Sequence, residues 1–127
     1  MEAAPDLKLP PVNMPKHILI ADDEEAVRGA IAMLLEIDGH TVTEAGNGEE
    51  AMERFKNDTF DLVITDFKMP GMMGDALAAA IKRLSPTQPI IMVTAHEAPP
   101  RGPTNPVDAV LNKPFTLDDL RRVIGAA

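Results

Sequence analysis

From Lys16 onward, short apolar segments alternate along the chain with longer amphipathic segments. The apolar runs have the length and the β-branched content of buried strands, and the segments between them repeat apolar residues at helical spacing. Predicted strands cover His17–Ala21, Thr41–Ala45, Phe60–Asp66, Ile90–Thr94 and Ala109–Asn112, and predicted helices cover Glu24–Asp38, Gly48–Asn57, Asp75–Leu84 and Leu117–Ile124. Strands that alternate with helices in this way form parallel βαβ units. The sequence therefore predicts a three-layer α/β fold, in which helices cover both faces of a parallel sheet.

The alternation is interrupted between the fourth and fifth predicted strands, where it calls for a helix. The segment 97–106 is rich in proline, and Pro103 and Pro106 would each remove a backbone donor and clash with the preceding turn of a helix. Each would cost about 3 kcal/mol in a helix interior. We therefore predict an irregular loop here, with at most one helical turn.

Composition limits where the chain can act. Residues 1–15 lack a periodic pattern and are rich in proline, which predicts a disordered N-terminal tail before a folded domain at 16–127. The net charge of −8 disfavours direct binding to nucleic acid or to an anionic membrane surface. No apolar run approaches the roughly 18 residues of a membrane span, and cysteine is absent. We expect a cytoplasmic protein that binds neither membranes nor nucleic acid directly.

Polar residues stand where the apolar runs end. Asp22 and Asp23 directly follow the first strand, Asp66 ends the third, Thr94 ends the fourth, and Lys113 follows the fifth. Ligands of open parallel sheets bind at the carboxyl ends of the strands, near the point where strand order reverses. Either of the paired aspartates alone could simply cap a helix, but three carboxylates gathered at one edge would repel one another and favour a divalent cation such as Mg²⁺. A phosphoryl group on Asp66 would meet this cation, an ammonium and a hydroxyl, which are the groups that phosphoryl transfer requires.

These residues belong to four short segments that follow one another along the chain. The segments are Asp22-Asp23-Glu24, Thr65-Asp66-Phe67-Lys68-Met69-Pro70-Gly71, Val93-Thr94-Ala95 and Lys113-Pro114-Phe115. Together they resemble the receiver domain of bacterial two-component response regulators, and the resemblance extends from Lys16 to about Gly125. It implies a doubly wound, five-stranded parallel sheet of the flavodoxin-like type with strand order 2-1-3-4-5. The helix between strands 4 and 5 would here be missing or reduced to an irregular loop.

The resemblance also implies an acceptor and a metal site. Asp66 would be the phosphoacceptor. Mg²⁺, or Mn²⁺ as a substitute, would be held by Asp66, by Asp23 directly and by Asp22 through bound water. The backbone carbonyl of Lys68 would complete the ligands that the protein supplies.

Further positions complete the implied site and mark its departures from the family. Thr94 would be the hydroxyl that turns toward the phosphoryl group. Lys113 would pair with the phosphoryl oxygens, and its bond to Pro114 would be cis. His96, two residues after Thr94, would overlook the site. Many receivers carry an aromatic residue three positions before the lysine, but this chain has Val110, so an aromatic rotamer switch is ruled out.

The function implied is a phosphorylation-dependent signalling switch. It would accept a phosphoryl group from a histidine kinase or histidine phosphotransfer protein and signal by a conformational change to a downstream partner that the sequence does not identify. It would not be a metabolic enzyme, because it assists only its own phosphorylation and dephosphorylation. One alternative is a receiver-like docking module that is never phosphorylated, although such modules usually lose one of the site residues. Another is a Mg²⁺-dependent aspartyl phosphatase, which would want a second acid at the position of Lys68.

Overall fold

The computed structural model describes residues 14–95 and 98–126. Its elements are β1 (His17–Ala21), α1 (Glu25–Ile37), β2 (Thr41–Ala45), α2 (Gly48–Asn57), β3 (Leu62–Asp66), α3 (Gly74–Leu84), β4 (Ile90–Thr94), β5 (Ala109–Asn112) and α4 (Leu117–Ala126). The predicted tail lies outside the described residues, except for Met14 and Pro15. Across those two described ranges, no helix is both long enough and apolar enough to cross a bilayer.

The five strands form one sheet in the order β2-β1-β3-β4-β5, and every neighbouring pair is parallel. Strand order reverses beside β1, which lies between β2 and β3. This architecture confirms the predicted doubly wound, five-stranded α/β fold. It also places the carboxyl ends of β1, β3 and β4 next to one another at one edge of the sheet.

Two buried clusters lie on opposite faces of the sheet. Alternate residues of the strands supply both, because successive side chains of a strand point to opposite faces. On one face Leu19 and Val63 pack with α2 and α3, and on the other Ile20 and Ile64 pack with α1 and α4. Burial on both faces explains why β3 and β4 are apolar along almost their whole length.

Several element boundaries differ from the prediction. The strand predicted to begin at Phe60 begins at Leu62, where its ladder with Ile18 starts. Just before it, a side-chain oxygen of Asp61 accepts the N–H of His17 (2.8 Å). The helix predicted from Glu24 to Asp38 spans Glu25–Ile37, with the two predicted end residues as its caps. The third helix begins one residue earlier than predicted, at Gly74. The last helix continues two residues beyond Ile124, to Ala126.

The link between β4 and β5 is irregular, as predicted. Its described part, residues 98–108, contains no helix. Gly102 and Asn105 exchange both of their backbone hydrogen bonds, at 3.0 and 2.9 Å, which closes a tight turn. The side chain of Asn105 is fully buried, and its amide donates to the carbonyl of Pro99 at 2.7 Å. A buried amide therefore organises the segment that a helix would otherwise occupy.

Candidate functional site

Three carboxylates meet at the carboxyl ends of β1 and β3. Asp66 is the last residue of β3, and Asp22 and Asp23 follow β1 directly. The parallel ladder pairs Ala21 with Thr65, so the residues that come next on the two strands are neighbours. One oxygen from each of the three carboxylates lies within 4.8 Å of the other two. The structure thus brings together the acidic residues that the sequence predicted as a cluster.

Asp22 is fixed on several sides. Its N–H donates to the carbonyl of Ala45 (3.1 Å), and its Oδ1 accepts the N–H of Glu24 (2.9 Å). The side chain is almost fully buried. Glu24, and neither aspartate, occupies the N-cap position of α1, and its side chain makes no capping bond. The reading of the two aspartates as simple helix caps is therefore wrong, although Asp22 does satisfy a backbone donor just before the helix.

The Asp66 carboxyl sits where a negative charge is poorly solvated. The residue is 8% exposed, and its Oδ1 accepts the N–H of Phe67 at 2.9 Å. Burial raises the pKa of Asp66, and the charge of Asp22 raises it further, with a smaller contribution from Asp23. The Lys113 ammonium and the Phe67 N–H act in the opposite direction without cancelling the shift in pKa. A further cation near this group would favour its ionised form.

Lys113 supplies a positive charge inside the acidic cluster. Its Nζ lies 3.5 Å from Oδ2 of Asp22 and 3.7 Å from Oδ1 of Asp66. Its backbone N–H donates to the carbonyl of Thr94 (2.8 Å), which extends the contact between β4 and β5 past the last strand residue. The Lys113–Pro114 bond is cis, as the resemblance implied. One ammonium among three carboxylates leaves a net negative, oxygen-only site, which suits a hard divalent cation such as Mg²⁺.

These groups line one cleft of about 460 Å³ at the edge of the sheet. Asp23, Asp66, Lys68, Thr94 and Lys113 are among its lining residues. Thr94 is buried, and Lys68 is exposed at the rim. The roles of the Thr94 hydroxyl and of the Lys68 carbonyl stay predictions, and His96 lies outside the described residues. The cleft brings the carboxylates of Asp23 and Asp66 and the ammonium of Lys113 into one pocket that is open to solvent.

Gly74, at the start of α3, is a site residue that the sequence did not reveal. Its N–H donates to the carbonyl of Phe67 (2.7 Å), which folds the loop after Asp66 tightly back on itself. A Cβ atom at this position would collide with the carbonyl oxygen of Asp66. Because that neighbour is backbone, only glycine fits, and this requirement becomes visible only in three dimensions.

Removing the charge of Asp66 is expected to stabilise the metal-free protein at neutral pH. The raised pKa of Asp66 means that the folded state binds this proton more tightly than the unfolded chain does. Stability is therefore lost as the pH rises from the ordinary aspartate pKa through the raised value. Asp66→Asn does not lose stability in this way, because asparagine carries no titrating carboxyl. Its unfolding temperature, measured by circular dichroism in a chelator, should exceed that of the wild type at neutral pH, and the difference should shrink in acid.

Asp38 provides a control of opposite sign. Its bonds to Arg121, both 2.8 Å, lower the pKa of Asp38. The resulting stability is present above the ordinary aspartate pKa and is lost as the pH falls through the lowered value. Asp38→Asn should therefore melt below the wild type at neutral pH. If Asp66→Asn also melted below the wild type there, the electrostatic description of the cleft would be wrong.

Comparison with known proteins places these features in a family context. A family model described as the response regulator receiver domain matches residues 18–125. The response regulator receiver protein CpdR of Brucella abortus is 39% identical over 108 residues, which cover 83% of this chain and 90% of CpdR. The autoinducer 1 sensor kinase/phosphatase LuxN of Vibrio harveyi is 36% identical over 115 residues, but these cover 89% of this chain and only 14% of LuxN.

Comparison with solved structures also finds response regulator proteins. The response regulator protein TrrA of Thermotoga maritima, solved in complex with Mg(2+)-BeF, superposes with a TM-score of 0.82 at 32% identity. The match covers 87% of this chain and 97% of TrrA.

Proposed function

Because this chain belongs to the response regulator receiver domain family, we propose that it is a phosphorylation-dependent signalling switch that carries its phosphoryl group on Asp66. The observation that carries the proposal is the convergence of Asp22, Asp23 and Asp66 to within 4.8 Å beside the Lys113 ammonium. The proposed donor is a phosphohistidine of a histidine kinase or a histidine phosphotransfer protein. On this proposal the domain acts in the cytoplasm.

The proposed transfer is a displacement at phosphorus. A carboxylate oxygen of Asp66 attacks the phosphorus of the phosphohistidine, an O–P bond forms, and the P–N bond breaks. The leaving imidazole nitrogen keeps the electron pair of the broken bond and takes up a proton. The Phe67 N–H holds the attacking carboxylate in place, since it donates to Oδ1 at 2.9 Å. The Lys113 ammonium balances the charge of the incoming phosphoryl oxygens.

Three carboxylates fit the metal requirement of this reaction. Asp66 and Asp23 would hold Mg²⁺ directly and Asp22 through water, with the Lys68 carbonyl as a further ligand and Mn²⁺ as a substitute ion. When bound, the cation supplies positive charge to the phosphoryl oxygens and relieves the repulsion within the acidic cluster. Oxygen donors alone, with one side of the cleft open to solvent, match the preference of Mg²⁺ for a few carboxylates plus water and phosphate.

The return to the resting state needs only water. Attack of water on phosphorus breaks the bond between phosphorus and the Asp66 oxygen, which releases inorganic phosphate and restores the carboxylate. The domain therefore assists chemistry on its own side chain and turns over no separate metabolite. In the phosphorylated form, the Thr94 hydroxyl is proposed to turn toward the phosphoryl group and to begin the conformational change that signals to a partner protein.

A small phosphodonor such as acetyl phosphate tests this function without knowledge of the kinase. With Mg²⁺ present, intact-protein mass spectrometry should show the gain of one phosphoryl group, and a chelator should prevent that gain. A wild-type protein that gained no phosphoryl group under these conditions would favour the docking-module alternative. Sustained release of phosphate from added phosphomonoesters would instead favour the phosphatase alternative.

A further inference from the structure

The guanidinium of Arg28 donates a hydrogen bond to the backbone of Asp22, a member of the acidic cluster. Arg28 lies on α1, and its Nη1 donates to the carbonyl oxygen of Asp22 at 2.9 Å. Its Nε donates to Oε1 of Glu44, on β2, at 2.8 Å. The side chain is only 16% exposed. Arg28 thus connects α1, β2 and the first residue of the turn that carries Asp22 and Asp23.

Both backbone polar groups of Asp22 are held by this arrangement. Its N–H donates to Ala45, and its carbonyl accepts from Arg28, so the peptide units on either side of the residue are fixed. Asp23 follows directly and is exposed toward the cleft, without a helical hydrogen bond to hold it in place. The bond from Arg28 therefore helps to set the orientation of that turn, together with the Glu24 N–H that donates to Oδ1 of Asp22. Glu44 in turn holds the guanidinium, since its Oε1 accepts from Nε of Arg28.

We propose that Arg28 is a positioning residue for the divalent cation: by holding the carbonyl of Asp22 it keeps the Asp22 and Asp23 carboxylates converged on Asp66. The inference rests on the metal site of the proposed function. Arg28 does not touch the cation. It acts on the cation's ligands, and groups that orient metal ligands from outside typically contribute about 10- to 100-fold in metal affinity.

The test measures Mg²⁺ binding by isothermal titration calorimetry, because the chain has no Trp or Tyr to report binding by fluorescence. Arg28→Met keeps most of the apolar stem and removes the guanidinium. We expect its dissociation constant for Mg²⁺ to rise by about 10-fold. The matched control is Glu44→Gln, which removes the charge of Glu44 but keeps an oxygen that can accept from Nε of Arg28, so the bond from Arg28 to Asp22 is retained. Its Mg²⁺ affinity should stay within about 2-fold of the wild type, because the charge of a partly exposed ion pair contributes little.

The two variants separate positioning from plain structural support. If Arg28 only tied α1 to the sheet, both variants would melt earlier while the folded protein kept its Mg²⁺ affinity, and the inference would be wrong. Should Arg28→Met fold too poorly for titration, Arg28→Gln, whose short amide cannot bond both Asp22 and Glu44, is expected to weaken binding in the same direction. A wild type that bound no Mg²⁺ would overturn the proposed metal site together with this inference. A wild type that bound it, with Arg28→Met and Arg28→Gln unchanged, would overturn this inference alone.

Discussion

Asp66→Asn is expected to abolish the gain of a phosphoryl group from a small phosphodonor in the presence of Mg²⁺. Asparagine has nearly the same shape and keeps the Oδ1 that accepts the Phe67 N–H, so the loop after β3 should keep its conformation. What it loses is the anionic oxygen that attacks phosphorus, and a neutral amide is not a substitute nucleophile. Intact-protein mass spectrometry of wild type and variant, side by side, measures the effect.

The control for this variant is Asp58→Asn. Asp58 is exposed and lies at the C-cap position of α2, and its Oδ1 accepts the N–H of Thr59 at 2.7 Å. Its replacement changes the net charge by the same amount and should leave phosphorylation at the wild-type level. Full incorporation in Asp66→Asn would mean that another group is the acceptor.

Lys113→Met should slow phosphorylation by about 10²- to 10³-fold, the typical effect of removing one charged or donor group from a transition-state site. The Nζ of Lys113 lies 3.5 Å from Asp22 and 3.7 Å from Asp66, so it is within reach of phosphoryl oxygens on Asp66. Mg²⁺ affinity should not fall in this variant. The ammonium competes with the cation for the same carboxylates, and its removal leaves them more available to the metal.

Lys113→Met is therefore expected to lower the phosphorylation rate without lowering the affinity for Mg²⁺. Lys82→Met is the matched control, because Lys82 is a similarly buried lysine that pairs with Asp108 at 3.0 Å on another part of the fold. It should change neither the phosphorylation rate nor Mg²⁺ binding. If Lys113→Met lost Mg²⁺ affinity in parallel with rate, the lysine would serve mainly to hold the site together.

The fold was predictable because its determinants are local along the chain. The strands of a parallel sheet covered on both faces are continuous apolar runs, and β1, β2, β4 and β5 have the predicted bounds. The site was predictable because the topology brings strand ends together, so that Asp22, Asp66 and Lys113 become neighbours although they are far apart in sequence. The contacts that the structure contains are those among the carboxylates of Asp22, Asp23 and Asp66 and the ammonium of Lys113, and the role of Thr94 stays a prediction.

Features that depend on backbone contacts in three dimensions were not predictable. The space beside the Asp66 carbonyl that admits only Gly74 has no local signature. In the sequence, Arg28 is indistinguishable from any charged residue of an amphipathic helix. Its bond to the carbonyl of Asp22 depends on how α1 packs. The prolines after β4 excluded a helix but did not reveal the buried Asn105 that replaces it.

The link between β4 and β5 also affects which surface would change when the domain is phosphorylated. In the described part of this link the backbone is irregular, and Val110, registered against Met92, occupies the position where many receivers have an aromatic ring. Both features adjoin the strand that ends at Thr94. We expect the acceptor chemistry to be retained while the surface that changes on phosphorylation differs from that of receivers with a helix and a ring here.

The most direct test of the central claim is to locate the phosphoryl group chemically. Borohydride reduces an aspartyl phosphate to homoserine, whereas it leaves a free carboxylate and phosphorylated serine or threonine unchanged. After treatment with acetyl phosphate, Mg²⁺ and borohydride, peptide mass spectrometry should find homoserine at position 66 and nowhere else. Homoserine at another aspartate, or none in protein shown to bind Mg²⁺, would contradict the assignment of Asp66 as the acceptor.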